Sequence, residues 1–245
     1  MKSGYHGIKK TEFDNDTQEI AIKYSQQHEI CTGIIGYRDI PDLIKKYSKG
    51  NVALDYGCGA GYSTELLHNL GYNVVGVDIS DAMLEQAKLI YPHLAFKKAT
   101  INSTTFTNNF FDLVLSTFVL FDIPTIENLY IYFKEVKRVL KQNGVFIACT
   151  GSEYFHLNNW LTEINDIKNN KNLKPGETFR VYLEKYDIYF NDVFYNHKNY
   201  MDAAKESGLK LEILHQPLGK KSDGINWTTE WTVPPYSIYV FSKSR

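Results

Sequence analysis

Between residues 54 and 62 the chain reads Leu54-Asp55-Tyr56-Gly57-Cys58-Gly59-Ala60-Gly61-Tyr62. The short apolar run 52–56 stops at glycines in three alternate positions, and residues 62–70 resume with helical spacing up to Gly71. A buried strand that ends in a glycine loop and opens a helix is the ligand-binding turn of a parallel α/β sheet. Glycines there let backbone approach a ligand and take turn dihedrals. One or two glycines would serve a plain strand–helix connection; three behind an acid point to a ligand. A phosphate-binding P-loop is excluded, because no Gly-Lys-Ser/Thr follows. In the dinucleotide fingerprint GxGxxG, counted from Gly57 and Gly59, the third glycine falls at Tyr62. Asp55 is also a poor neighbour for a pyrophosphate and a good one for a positively charged group.

Around this loop the chain alternates short strands with helices. Residues 14–29 and 38–48 are predicted helical, followed by strand 73–78, helix 81–90, strand 94–97, strand 111–117, helix 125–140 and strand 144–150. The stretch 151–196 breaks the rhythm and is rich in aromatics, with a hairpin expected at 179–184 and 188–194. Helix 198–207, strand 209–215 and a final strand 236–243, expected antiparallel, complete the pattern. This predicts an α/β fold with helices on both faces of a mostly parallel sheet. Four segments follow: a helical N-terminal cap (1–49), a ligand-binding core (50–150), an insert covering the substrate (151–196) and the rest of the sheet (197–245).

A chain of 245 residues builds one large domain, or a domain with a cap. Lys and Arg number 27 against 28 Asp and Glu, so no basic surplus argues for nucleic acid. The three cysteines, Cys31, Cys58 and Cys149, form no metal-binding or disulfide pattern and fit a reducing, cytoplasmic setting. No apolar run is long enough for a membrane span or, behind the early lysines, a secretory signal.

The motifs LDYGCGAGYSTELL, VVGVDIS-DAML and FFDLVLSTFVLFDI, in this order, resemble the class I S-adenosylmethionine-dependent methyltransferases of the small-molecule kind. The resemblance is specific over residues 50–150 and looser over 1–50 and 197–245. It implies a three-layer Rossmann-like sandwich whose seven-stranded sheet runs 3-2-1-4-5-7-6 with strand 7 antiparallel. It also implies S-adenosylmethionine as cofactor, with S-adenosylhomocysteine as its product. In this family pattern Asp55 lies beneath the methionine amino group, and Gly57 and Gly59 make room for methionine and ribose. Asp78, at the end of the second strand, takes the ribose hydroxyls, since Ser80 or Asp81 can cap the next helix in its place. Ile79 packs on the adenine and Met83 covers its other face. Ser116 lines the methionine side and Phe118 sits near the transferable methyl. The family often has Gly-Asp-Ala after strand 3; here Ala99-Thr100-Ile101 stands there, leaving a Thr100 hydroxyl and the Ile101 N–H to meet the adenine. Phe13, Tyr24 and Tyr37-Arg38 resemble the positions that close over the cofactor. Arg38 is either a partner of the methionine carboxylate or a solvated residue at a helix start.

Methyl transfer from a sulfonium is an in-line displacement that needs an acceptor held about 3–3.5 Å from the methyl carbon. His156 and His197 flank the insert and are the candidate general bases, each with a plain structural role as the alternative. No metal site is expected. The resulting expectation is a methyltransferase acting on N, O, S or C of a small molecule, as monomer or homodimer, without nucleic-acid or membrane partners. The alternative is a non-catalytic module that binds the cofactor as a partner or sensor.

Overall fold

The computed structural model describes residues 17–25, 31–101 and 103–243. In chain order, the helices α1 (Gln18–Ser25), α2 (Gly33–Arg38) and α3 (Ile40–Tyr47) precede β1 (Val52–Tyr56), α4 (Tyr62–Asn69), β2 (Asn73–Asp78), α5 (Asp81–Ile90) and β3 (Ala95–Lys98). Then come β4 (Phe111–Thr117), α6 (Ile126–Val139), β5 (Leu140–Gly151), β6 (Glu163–Asn165), α7 (Ile167–Asn170), β7 (Thr178–Leu183), β8 (Ile188–Val193), α8 (His197–Ser207), β9 (Leu209–His215) and β10 (Tyr236–Lys243).

Seven strands form one sheet in the order β3-β2-β1-β4-β5-β10-β9. The pairs among β3, β2, β1, β4 and β5 are parallel, and β10 is antiparallel to both of its neighbours. With β9 and β10 as the sixth and seventh strands, this is the expected Rossmann-like sheet with its reversed last strand.

The alternation of side chains across a strand divides the core into two layers. In β4, Val114 faces the cluster built on Leu129, Phe133 and Val136 of α6, and Leu113 and Leu115 face the cluster holding Ile35, Ile40 and Ile44 of α2 and α3. Both faces are buried, which is why β4 and β5 read as continuous apolar runs.

Three elements differ from the sequence expectation. Of the helix expected at 14–29, residues 18–25 are helical, and residues 14–16 and 26–29 lie outside the described residues. The helix expected at 38–48 is present as α3, and a helix the sequence did not announce, α2, runs ahead of it and meets it at Asp39. Pro41 stands in the first turn of α3, where its missing N–H is harmless but would have broken a continuous helix. The 151–196 stretch carries the expected hairpin, β7 paired with β8, and also β6, so it forms a three-stranded sheet of its own. Its apolar face, including Phe155, Trp160, Phe179 and Val181, joins the α2–α3 core layer.

Candidate active site

The glycine loop leaves the carboxyl end of β1 beside β2, tied there by the Gly57 and Cys58 N–H groups, which donate to the Val77 carbonyl at 2.8 and 3.0 Å. Gly57 has φ of 85°, and a Cβ there would lie 2.2 Å from Val119 Cγ2, so neither conformation nor space allows another residue. Gly59, with φ of 49°, is the open one: among the described residues a Cβ there would meet Tyr24 Cε1 alone, at 3.7 Å. The space above Gly59 is therefore roofed by the α1 ring of Tyr24.

Two carboxylates stand at this edge. Asp55 is wholly buried. Its Oδ2 accepts the hydroxyls of Ser63 and Thr64 in the first turn of α4, at 2.7 and 2.6 Å, and its Oδ1 has no hydrogen-bond partner among the described residues. Burial pushes the carboxyl up to about 7 against the pull of those two hydroxyls, and the charge of Asp78 adds to the rise. Asp78 is half-buried and accepts the Gly59 N–H at 2.7 Å on Oδ2 and the Ser80 N–H at 2.8 Å on Oδ1. The sequence left Asp78 wholly to a ligand; in the fold it also braces the glycine loop against the start of α5. Ser80 caps α5, its hydroxyl accepting the Met83 N–H at 3.0 Å, as expected. The Gly59 and Ser80 N–H groups thereby fix the orientation of the Asp78 carboxylate, which offers about four lone-pair sites.

The walls are aromatic. Tyr37 of α2 packs edge-on against Tyr62 and Phe118, with ring centroids 4.7 and 5.3 Å apart, and its hydroxyl lies 3.2 Å from that of Thr117. Phe118, just past β4, has φ of 60°, an unusual backbone for so large a residue. The insert closes the other side. Phe190 meets Tyr24 edge-on at 5.9 Å, the Asp187 carbonyl accepts Lys23 Nζ at 3.4 Å, and the Val193 N–H donates to the Phe121 carbonyl at 2.6 Å. The Tyr24 hydroxyl is pushed up first by burial and then by the charges of Asp122, Cys31, Asp78 and Asp192, which places this ring among α1, the β2 and β4 exits and the insert.

The other sequence candidates divide. Ile79 and Met83 are half-buried on either side of Ser80. Thr100 is exposed beyond β3, with its hydroxyl donating to Ser103 O at 3.2 Å. The Tyr56 hydroxyl supports this loop by donating to the Thr100 and Ile101 carbonyls at 2.9 and 3.1 Å.

Four candidates are committed elsewhere. Ser116 is buried, and its Oγ accepts the Tyr132 hydroxyl at 2.9 Å on the α6 side; Thr117, one residue on, faces Tyr37 in its place. Arg38 spends its guanidinium on Asp39, on Asp223 and on the Leu218 carbonyl, holding the α2–α3 junction to the connection before β10. His197 Nδ1 lies 3.1 Å from the Tyr239 hydroxyl and its ring stacks on that tyrosine in the α8 layer. His156 is 4% exposed, its ring packed 4.4 Å from Phe194, and burial lowers its pKa. Neither histidine is brought to the glycine loop. Phe13 lies outside the described residues. Sequence reasoning passed over Ser63, Thr64 and Thr117; a hydroxyl pair in the first turn after an acid-ended strand is the signal that marks the first two.

Among the described residues no group of three His, Cys, Asp or Glu could hold a metal ion, and no helix is long and apolar enough to cross a membrane. Residues 54–148 match the methyltransferase domain family. An uncharacterized protein of Methanocaldococcus jannaschii is 28% identical over 88% of this chain and 86% of its own length. An uncharacterized methyltransferase of Synechocystis is 32% identical over 46% of the chain, which spans 52% of that relative. Among solved structures, a putative S-adenosylmethionine-dependent methyltransferase from Listeria monocytogenes superposes with a TM-score of 0.66 at 18% identity, covering 87% of this chain and 98% of that one. Over residues 54–148 the chain is thus similar to the methyltransferase domain family, and its sheet is the Rossmann-like fold seen in solved S-adenosylmethionine-dependent methyltransferases.

Proposed function

We propose that the protein transfers a methyl group from S-adenosylmethionine to a small-molecule acceptor held beneath the 151–196 insert. The observation that carries this reading is the Asp55 carboxylate, wholly buried at the loop with one oxygen lacking a donor among the described residues. A buried acceptor with no partner costs free energy unless a ligand supplies the donor. The ammonium of a bound amino acid moiety suits that oxygen, and a pyrophosphate does not.

When bound, the cofactor supplies an electrophilic methyl on a sulfonium. The residues of the chain have the tasks of binding and aiming. Asp78 is oriented by Gly59 and Ser80 to accept ribose hydroxyls, and the Thr100–Ile101 loop, braced by Tyr56, stands where adenine polar edges are met. Tyr24 roofs Gly59, and Tyr37 and Phe118 close the β4 exit. An acceptor lying between these rings and the insert is desolvated and held in line, which is what the displacement needs. The scheme uses no histidine base: His197 is held by Tyr239 in the α8 layer, and His156 is buried against Phe179 and Phe194 within the insert. An acceptor that is a neutral amine, or a thiol or hydroxyl that loses its proton to solvent, needs none.

The test has two stages. Calorimetry should show binding of S-adenosylmethionine and S-adenosylhomocysteine but not NAD. A panel of small amines, thiols and phenols incubated with methyl-labelled cofactor and read by mass should then show a labelled product. Cofactor binding without turnover on any acceptor would favour a binding module, and loss of both would overturn the proposal.

A further inference from the structure

Glu163 opens β6 and is 7% exposed, Glu230 is wholly buried, and the scheme above uses neither. Glu230 lies in the connection between β9 and β10. Its Oε1 accepts the Leu161 N–H at 2.6 Å and the Thr32 hydroxyl at 3.0 Å. Its Oε2 accepts the Thr228 N–H at 3.1 Å and the Thr228 hydroxyl at 2.9 Å. Four donated bonds fill an ionised carboxylate.

Beyond Thr32 the chain of oxygens continues. Thr162 Oγ1 lies 3.1 Å from Thr32 Oγ1 and 3.0 Å from Glu163 Oε2, and it also accepts the Thr32 N–H at 3.0 Å. Three oxygen-to-oxygen contacts thus run in a row, from Glu163 to Thr162 to Thr32 to Glu230. The two threonine hydroxyls bring two hydrogens, and three contacts need three. With Glu230 already filled, the third belongs on Glu163. The other groups facing Glu163 do not supply it. Tyr236 of β10 reaches Oε1 at 3.5 Å, a separate contact. Cys31, before α2, holds its own proton, pushed up to about 11 by burial and then by the Glu163 charge, with Lys185 opposing.

We propose that Glu163 is a positioning residue whose protonated carboxyl completes a hydroxyl relay to Glu230 and so clamps the insert to the α2 entry and the β9–β10 connection, a clamp that loosens as pH rises. The network spans three parts of the fold: Thr32 ahead of α2, residues 161–163 of the insert, and Glu230 next to β10. Tyr236, which also touches Glu163, packs its ring 4.9 Å from Phe118 and 5.7 Å from Phe155, so the clamp sits behind the β4 exit. Burial pushes the Glu163 carboxyl up to about 7 and the charge of Glu230 adds to the rise, while the Thr32, Thr162 and Tyr236 hydroxyls favour the ionised form once the proton leaves. With the clamp open and Glu163 in water, an ordinary value of about 4.3 applies. The closed form therefore binds the proton more tightly. Closure is fully favoured below about pH 4.3, weakens as pH rises toward about 7, and is flat above about 8.

The reading of the insert as a cover rests on the proposed function, but the clamp is testable without turnover. Hydrogen exchange of the intact chain is followed at pH 6 and pH 8, corrected for intrinsic exchange, in peptides covering 158–166 and 178–193. Protection in wild type should fall about tenfold between the two pH values. In Glu163→Gln the amide N–H replaces the carboxyl hydrogen, and protection should stay level. Thr162→Val, which interrupts the relay, should lower protection at pH 6 and remove the pH dependence. Wild-type protection that does not change between pH 6 and 8 would overturn the proposal without reference to any variant, as would an unchanged fall in Glu163→Gln. If no acceptor is ever methylated but the exchange pattern holds, the clamp stands and the proposed function alone fails.

Discussion

Replacing Asp55 by Asn removes one buried charge and leaves the shape unchanged, so its effect follows from a single proton. In the unliganded protein the carboxyl is wholly buried, its Oδ1 has no donor among the described residues, and burial pushes its pKa up to about 7. The unfolded chain has an ordinary value near 3.9. A carboxyl raised on folding stabilises the fold through its bound proton below the unfolded value, and that contribution is lost as pH climbs through the folded value. Between pH 5 and pH 8 the folded protein gives up about two pKa units of preferential protonation, or about 2.7 kcal/mol at 1.36 kcal/mol per unit. Asn carries no such dependence. Urea unfolding of cofactor-free protein at pH 5, 6, 7 and 8 should therefore show the gap between Asp55→Asn and wild type moving by about 2–3 kcal/mol in favour of the variant as pH rises. The same variant should bind S-adenosylmethionine more weakly at pH 8, because it presents a neutral amide where the ammonium needs a charge. Parallel stability profiles for the two proteins would show that Asp55 is already ionised in the empty site and would refute the reasoning.

Asp78→Ala should weaken S-adenosylmethionine binding by about 1.5–3 kcal/mol in calorimetry, the range for hydrogen bonds to a charged group. It also releases the Gly59 and Ser80 N–H groups, so an unchanged affinity would remove Asp78 from the site altogether. Thr100→Asp, at an exposed position, should leave cofactor affinity equal or tighter, and a large loss in a folded variant would mean that the adenine lies elsewhere. Gly57→Ala should destabilise the fold by more than about 1 kcal/mol in thermal unfolding, since a positive φ and the Val119 side chain both oppose the new methyl. Phe190→Ala should leave cofactor affinity nearly unchanged while raising the acceptor KM, because its ring meets Tyr24 at the roof and its loss opens the cover.

The sheet was legible because its strands are buried on both faces, and a continuous apolar run set between helical segments fits a central parallel strand and little else. The glycine loop and its two acids were legible for the same local reason: strand, turn and helix are consecutive in the chain. What the sequence did not disclose depends on facing. Ser116 and Thr117 differ by one residue, and the alternation of β4 sends the first to Tyr132 and the second to Tyr37. The parity of Leu113 and Leu115 with Thr117 could have told them apart. His156 and His197 flank the insert in the chain, but flanking a segment does not aim a ring at what the segment covers. The strand β6 is three residues, Glu163-Ile164-Asn165, too short and polar for any periodic signal, and Glu163 went unnoticed with it. Its partners Thr32 and Glu230 are distant in the chain, so only the folded protein brings the relay together.

Phe118 keeps a left-handed backbone just where the fourth strand ends, and its ring fills a notch in the first turns of α2. A Cβ on Gly36 would stand 2.7 Å from Phe118 Cζ, so the helix offers a bare patch of backbone and the ring occupies it. Ring and notch work as plug and socket. The main chain at 118 carries a left-handed dihedral that costs about 1–3 kcal/mol in such a residue, and its N–H is held by the Cys149 carbonyl at 2.8 Å. Two glycines, Gly33 and Gly36, thereby set how closely α2 lies on the Phe118 ring, although neither carries a side chain that could touch a substrate.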